Sequence, residues 1–318
     1  MIQVDLITGF LGSGKTTFIT EYADYLVSIG KKVAIIVNDY GAINVDRLLL
    51  EEKLGDKCHL EMVIGGDPDC SRRRLKTKLI AMAMNRYDYV IVEPSGIFDV
   101  DDFFDLIFEE PLERWYQIGD VISIVDASIA DTKLTDMSVA TRYLLASQVS
   151  KAGRVVISKM GPSDRSQELL QIINECLEEF KCTRRLDKCF VWNKGEVTAD
   201  EWNVLRGVSY YSGEMIKLPV SEENDFTSLF FFHVKTRVDK LEETVSSLFK
   251  EFGSSSGNLI RLKGFLPDTS GGWIEVNATK NEINISSSSV GQELFILIGE
   301  NLKEEEIGKY WDDYKNQP

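Results

Sequence analysis

Ile2-Gln3-Val4-Asp5-Leu6-Ile7-Thr8-Gly9-Phe10-Leu11-Gly12-Ser13-Gly14-Lys15-Thr16-Thr17 is the stretch that decides the fold of this chain. Residues 9–16 match G-x-x-x-x-G-K-[ST] in full. A short apolar run precedes them and helical periodicity follows, the strand–loop–helix context the motif requires. Gly12 and Gly14 let the backbone turn so that successive N–H groups, that of Ser13 among them, face one concavity, and the following helix adds its positive end. Anionic oxygens fit there. In such a loop Lys15 reaches the β- and γ-phosphates of a nucleotide and the Thr16 hydroxyl ligates Mg²⁺, with Gly9 and Thr17 completing the cradle.

Outward from this loop, apolar runs alternate with helical stretches as far as about residue 195, which predicts an α/β fold of the P-loop NTPase type. Strands are expected at Ile2 to Ile7, Val33 to Val37, His59 to Val63, Tyr89 to Val92, Val121 to Val125, Arg154 to Ile157 and Cys189 to Trp192. Several are apolar throughout, as strands covered by helices on both faces of a mostly parallel sheet should be. Helices are expected at about 16–29, 71–86, 138–150 and 164–180. Beyond residue 205 the texture changes. A polar stretch, Ser221-Glu222-Glu223-Asn224-Asp225, precedes a strand-like Leu229 to Val234, an amphipathic helix around Lys240 to Phe252, and strand-like runs at 259–266, 273–276, 282–285 and 293–298. The pattern gives two domains, 1–205 and a smaller C-terminal α+β domain at 222–318.

Composition removes several classes of function. A formal net charge of −15 gives a surface that repels a phosphate backbone, so nucleic acid is not an expected partner. The one basic run, Ser71 to Lys78, reads most simply as a solvated helix start. No run approaches the roughly 20 apolar residues that a membrane helix needs, and the N-terminus shows no secretory signal. A cytoplasmic location without membrane contact is the expectation. Five scattered cysteines make a disulfide framework improbable, and Cys176, Cys182 and Cys189 read as structural.

Tyr89-Val90-Ile91-Val92-Glu93-Pro94-Ser95-Gly96 is an apolar strand ending in an acid, the place where a P-loop protein sets a carboxylate near Mg²⁺ or its water. Lys15, Thr16 and Glu93 are therefore the expected catalytic groups. Gly96 would let backbone approach the γ-phosphate, which makes 94–100 a candidate switch. Read with Val37-Asn38-Asp39-Tyr40-Gly41-Ala42-Ile43-Asn44-Val45-Asp46, these elements resemble the CobW-type GTPases, relatives of the UreG and HypB metallochaperones. Arg261-Leu262-Lys263-Gly264-Phe265 and Trp273 resemble that family's C-terminal domain. The resemblance implies slow hydrolysis of GTP with Mg²⁺, coupled to delivery of a transition metal, zinc or cobalt, to a client protein. It also leaves a homodimer open, since metal sites in the family can complete themselves between two copies.

Two of the family's motifs are altered. Its Cys-x-Cys-Cys metal loop aligns with Gly65-Gly66-Asp67-Pro68-Asp69-Cys70, which leaves Asp67, Asp69 and Cys70 as candidate transition-metal ligands, a harder and weaker set than three thiolates. On the strand leading into that loop, His59 and Glu61 should face one side and Cys58 the other. Asp39 and Asp46 match acids that serve Mg²⁺ or the switch, although Asp39 could instead cap a turn with Gly41. The guanine-reading Asn-Lys-x-Asp aligns with Ser158-Lys159-Met160-Gly161: Lys159 can cover a purine, but the discriminating carboxylate is missing. Asn193-Lys194-Gly195-Glu196, after the last expected strand, is a candidate substitute, so GTP is the expected nucleotide and ATP stays open. The leading expectation is a GTP-dependent metallochaperone-like switch. The alternatives are a nucleotide-dependent regulatory binding protein that has lost metal delivery and, ranked last, a small-molecule kinase.

Overall fold

The computed structural model describes residues 1–39, 45–64, 68–96, 100–218, 226–253, 258–269 and 271–315, and at 38, 39, 45–49, 64, 68, 69 and 315 it describes the backbone alone. The chain divides into two compact units, Met1–Leu218 and Pro219–Pro318.

The first unit is built on seven strands: β1 (Ile2–Gly9), β2 (Val33–Asp39), β3 (His59–Ile64), β4 (Tyr89–Glu93), β5 (Tyr116–Asp126), β6 (Arg154–Ser158) and β7 (Phe190–Val191). They lie in the order β3-β2-β4-β1-β5-β6-β7, and every pairing is parallel. Five consecutive residues of β4 are buried, as the apolar run predicts for a strand covered on both faces. The helices between them are α1 (Lys15–Ser28), α2 (Val45–Leu54), α3 (Pro68–Met84), α4 (Val100–Ile107), α5 (Val139–Ser150), α6 (Ser166–Glu179) and α7 (Ala199–Leu205). Phe18, Ile19, Tyr22, Ala23 and Leu26 form the stripe that α1 buries in the core with Ile7, Ile35, Ile91 and Ile124. Ser138 caps α5 through the Thr141 N–H, and Thr198 with Glu201 closes a capping box on α7.

Three helices escape the sequence reading. α2 begins just after the switch-like stretch, and α4 and α7 are short, at 8 and 7 residues. Tertiary contact decides such pieces more than propensity does. β7 is also briefer than the expected 189–192, ending at Val191. Beyond α7 the chain returns to this unit. The Asp120 carboxylate accepts the N–H groups of Gly207, Val208 and Ser209, and Ile216 N–H donates to Phe180 O.

The second unit is an antiparallel sheet of β8 (Thr227–Lys235), β9 (Asn258–Pro267), β10 (Trp273–Thr279), β11 (Glu282–Ser288), β12 (Leu294–Glu300) and β13 (Asp313–Lys315), in the order β11-β10-β9-β12-β8-β13. Helix α8 (Leu241–Glu251) lays Leu241, Val245, Leu248 and Phe249 into a core with Phe231, Leu262, Val276, Phe295 and Leu297. Their spacing of four, three and one is one face of a helix. A one-turn helix, α9 (Glu304–Ile307), follows β12. No helix among the described residues is long and apolar enough to cross a membrane.

Asp5 sits in the centre of this hydrophobic architecture. It is fully buried on β1, where its carboxylate accepts from Asp120 N–H at 2.8 Å, Tyr22 OH at 2.7 Å and Gln3 Nε2 at 3.1 Å. Burial raises its pKa to about 6, and the neighbouring Asp120 carboxylate adds to the rise against those three hydrogen bonds. The folded chain thus holds the proton more tightly than the unfolded one. Asp5 contributes stability that is full below about pH 4 and is lost as pH rises through 6. A rise of this size is worth on the order of 3 kcal/mol. Melting temperatures of wild type and Asp5→Asn between pH 4.5 and 7 should therefore converge or diverge with pH, wild type gaining on the variant as pH falls. Parallel curves would contradict the assignment.

Candidate functional site

The phosphate loop is shaped by the end of β1 and the start of α1. After Gly9 the chain turns through Phe10 to Ser13, where Ser13 N–H donates to Phe10 O at 3.2 Å. Gly14, with φ of 93°, then opens α1, and Phe18 N–H donates back to Gly14 O at 3.0 Å. A left-handed residue at that position is what glycine supplies at least cost. The first N–H groups of α1 are left facing the loop, where the helix dipole favours an anion. Lys15 is 6% exposed, and its ammonium arches over the loop to Gly9 O at 2.8 Å and Phe10 O at 3.2 Å.

Thr16 and Glu93 meet. The Thr16 hydroxyl donates to Glu93 Oε1 at 2.9 Å across 77 residues of sequence, because β1 and β4 are adjacent parallel strands. Glu93 is only 4% exposed. A hydroxyl and a carboxylate at this separation are the hard oxygen donors that suit Mg²⁺, which keeps several waters and accepts few protein ligands. Gly96 follows closely against the loop. A Cβ there would stand 2.8 Å from Leu11 N, so only glycine lets the two backbones come together.

The residues that the sequence offered for the base lie at the ends of β6 and β7. Ser158 donates to Ser13 O at 2.7 Å and so ties the end of β6 to the phosphate loop. Lys159, with φ of 54°, pairs with Asp126 Oδ2 at 3.0 Å, while the other Asp126 oxygen accepts Ser128 N–H. The 193–196 turn closes on itself through Glu196 N–H to Asn193 O. Glu21 of α1 anchors it, accepting from Trp192 Nε1 at 3.1 Å and Gly195 N at 2.8 Å. Asn193 is exposed at the carboxyl edge of the sheet. Gly9 ends β1, Gly12, Ser13 and Gly14 form the loop, Lys15, Thr16 and Thr17 open α1, Glu93 ends β4 with Gly96 just beyond it, and Lys159 follows β6. Glu21, Asp126 and Gln148 were not among the sequence candidates: Glu21 and Gln148 are single polar residues inside helices, which carry no local signature, whereas Asp126 closes the apolar strand β5 as Glu93 closes β4, a signal that could have found it.

The metal candidates divide differently. Asp67 lies outside the described residues, and of Asp39, Asp46 and Asp69 only the backbone is described, in β2, α2 and α3. Cys70 is half-buried in the first turns of α3. His59 Nε2 lies 3.2 Å from Glu61 Oε1, as strand alternation predicts, and its ring stacks on Tyr87. Glu61 also pairs with Lys78 at 2.6 Å, which occupies the carboxylate. Burial pushes the Cys58 thiol up to about 11 and the Cys176 thiol up to about 12, so neither is a ready thiolate. Among the described residues no group of three or more His, Cys, Asp or Glu could hold a metal.

The sequence profile of the CobW/HypB/UreG nucleotide-binding domain matches residues 3–186. The zinc chaperone YjiA of Escherichia coli is 26% identical over 288 residues, 86% of this chain and 82% of that protein. Zinc-regulated GTPase metalloprotein activator 1 of Saccharomyces cerevisiae is 26% identical over 197 residues, 56% of this chain and 46% of that protein. The solved Zn(II)-bound YjiA GTPase from E. coli aligns over 97% of both chains at 20% identity, with a TM-score of 0.43, a likeness too loose to carry an argument.

Trp192 offers a reporter within the site. A Cβ on Gly14 would lie 3.5 Å from its ring, and its indole N–H is held by Glu21 on the helix that the phosphates face. Nucleotide binding should change tryptophan fluorescence in wild type and leave it nearly unchanged in Trp192→Phe. A full signal surviving in that variant would place the responsive ring elsewhere.

Proposed function

This chain belongs to the CobW/HypB/UreG family of nucleotide-binding domains, and we propose that it binds Mg–GTP at the 9–17 loop, hydrolyses it slowly, and uses the change of nucleotide to hand a transition metal to a client protein. The observation that carries this reading is the Thr16–Glu93 hydrogen bond at 2.9 Å beneath a complete phosphate loop. Lys15 binds the β- and γ-phosphate oxygens, and the loop N–H groups, with those of Ser13 and Thr17, take the remaining negative charge. Thr16 and Glu93 would hold Mg²⁺, which when bound neutralises charge on the phosphate oxygens. Glu93 also orients the attacking water, with Gly96 bringing backbone toward the γ-phosphate.

Slow turnover follows from the chain's own inventory. Its two histidines, His59 and His233, begin an edge strand of the first sheet and lie in β8 of the second unit, so neither belongs to the elements that form the loop. Charge stabilisation and positioning then supply most of the acceleration, and a partner supplies the rest. Lys159 covers the purine and the Asn193 turn meets its polar edge, in place of the absent carboxylate. In this reading residues 1–205 act as the GTPase domain and 222–318 as the family's smaller C-terminal domain.

Zinc is the favoured cargo, with cobalt second, because the named relatives are zinc chaperones and a zinc-regulated activator. That also favours delivery over a switch that has lost its metal. Asp67, Asp69 and Cys70 would take the ion in transit, weakly enough to release it, and a second copy of the chain can complete the coordination. Asp39 and Asp46 are the acids proposed to connect metal and nucleotide state. The reading requires a soluble, cytoplasmic chain meeting its client in solution. Metal analysis of protein equilibrated with zinc and either Mg–GTP or Mg–GDP tests it. Wild type should hold zinc in one nucleotide state and lose at least tenfold of that affinity in Cys70→Ala; equal zinc content in both states and both proteins would overturn delivery.

A further inference from the structure

Gln148 is buried inside α5, 1% exposed, and points at the loop that carries Glu93. Its Nε2 donates to Gly96 O at 2.9 Å across 52 residues of sequence. Its Oε1 is buried and meets no hydrogen-bond partner among the described residues. An aliphatic side chain of similar size would fill the same space without stranding an oxygen, so packing does not account for the amide. What the amide does is hold one carbonyl. That carbonyl belongs to the glycine whose backbone lies against Leu11 N in the phosphate loop.

A second contact comes from the same face of the same helix end. Lys151, three residues on, caps the C-terminus of α5, and its ammonium lies 3.4 Å from Asp101 Oδ1. Lys217 reaches the other oxygen of Asp101 at 2.8 Å. Lys151 is itself fixed by donating to Gly213 O at 2.6 Å. Asp101 is in the first turn of α4, where a carboxylate also meets the positive end of the helix. Although burial would raise its pKa, the hydrogen bond from Lys217 and the charges of both lysines hold it below the usual value, so Asp101 is charged and the contact is an ion pair. Residues 148 and 151 are one turn apart on a helix, so they act from one rigid side.

We propose that Gln148 and Lys151 are positioning residues for hydrolysis: from the last turn of α5 and its C-cap they fix Gly96 and Asp101, and so set the Glu93-Pro94-Ser95-Gly96 turn at its distance from the phosphate loop. This rests on the GTPase reading of the same site. Neither side chain needs to touch the nucleotide. Glu93 is one peptide plane from Pro94 and three from Gly96, so freedom at Gly96 becomes angular freedom at the carboxylate that Thr16 must meet. A displacement of this kind costs rate more than binding, because the ground state keeps the loop N–H groups and Lys15 while the transition state also needs Glu93 in place.

Single-turnover GTP hydrolysis and GDP affinity, measured together on the full chain, test the proposal. Gln148→Leu and Lys151→Met should each slow hydrolysis five- to tenfold while GDP affinity stays within twofold of wild type. Lys151→Arg, which keeps a cation facing Asp101, should recover most of the rate. Wild-type rates in Gln148→Leu and Lys151→Met would overturn the proposal, and so would a parallel loss of rate and GDP affinity, the signature of a merely structural role. Failure of the wild-type chain to hydrolyse GTP would count against the proposed function instead. The two contacts would then be read in the affinity for GDP with aluminium fluoride, a mimic of the transition state, relative to GDP alone, which should fall in the same two variants.

Discussion

The hydrogen bond from Thr16 to Glu93 joins the first turn of α1 to the last residue of β4, and the first unit is arranged so that those atoms meet. Leu6 stands opposite Val92 in the parallel ladder, so Glu93 emerges at the carboxyl edge of the sheet as β1 delivers its chain into the phosphate loop. A one-residue slip of β4 would turn Glu93 into the wrong face and bring Val92 or Pro94 to its place. Close packing of the side chains on both faces of these strands is what opposes the slip. Function therefore rests on register, and register rests on the core. Ser158 repeats the device from the other side, tying β6 to Ser13.

The same sheet carries a cost that function does not explain. Asp5 and Asp120 are both essentially buried on neighbouring strands, where β1 and β5 shift register between Val4 and Leu6. Asp120 is spent on three consecutive backbone N–H groups at 207–209, so it anchors the chain as it leaves α7. Buried polar groups are tolerated when their hydrogen bonds are made, and these carboxylates accept six between them across β1, α1, β5 and the 207–209 segment. Burial, with the Asp120 carboxylate adding to it, is why Asp5 keeps its proton to a higher pH.

Much of the first unit was legible because its signals are local. A glycine-rich loop between an apolar run and a helix, and an acid closing the strand Tyr89–Val92, are each readable within about 15 residues. All seven strands follow from short apolar runs, since a sheet covered on both faces leaves no alternation to obscure. α4 and α7 were not legible, because helices of 8 and 7 residues exist only through what they pack on. Gln148 was invisible for a related reason: as one of several polar residues in α5, it gains meaning only when Gly96 is brought beside it. Glu21 gave no sign either, being one acid on a helix until Trp192 and Gly195 arrive. Nor did the sequence show the partner of Lys159, since Asp126 lies on a neighbouring strand and meets it only in the fold.

The central claim is that Thr16 and Glu93 act as one unit upon Mg²⁺ and the nucleotide. A double-mutant cycle of Thr16→Val and Glu93→Gln, read as Mg²⁺-dependent affinity for GTP by calorimetry, tests that most directly. The account predicts strong coupling: either substitution alone should remove most of the Mg²⁺-dependent gain, and the pair should cost little more than one, a coupling of about 1–3 kcal/mol. Additive losses, or an undiminished Mg²⁺ effect in Glu93→Gln, would contradict it.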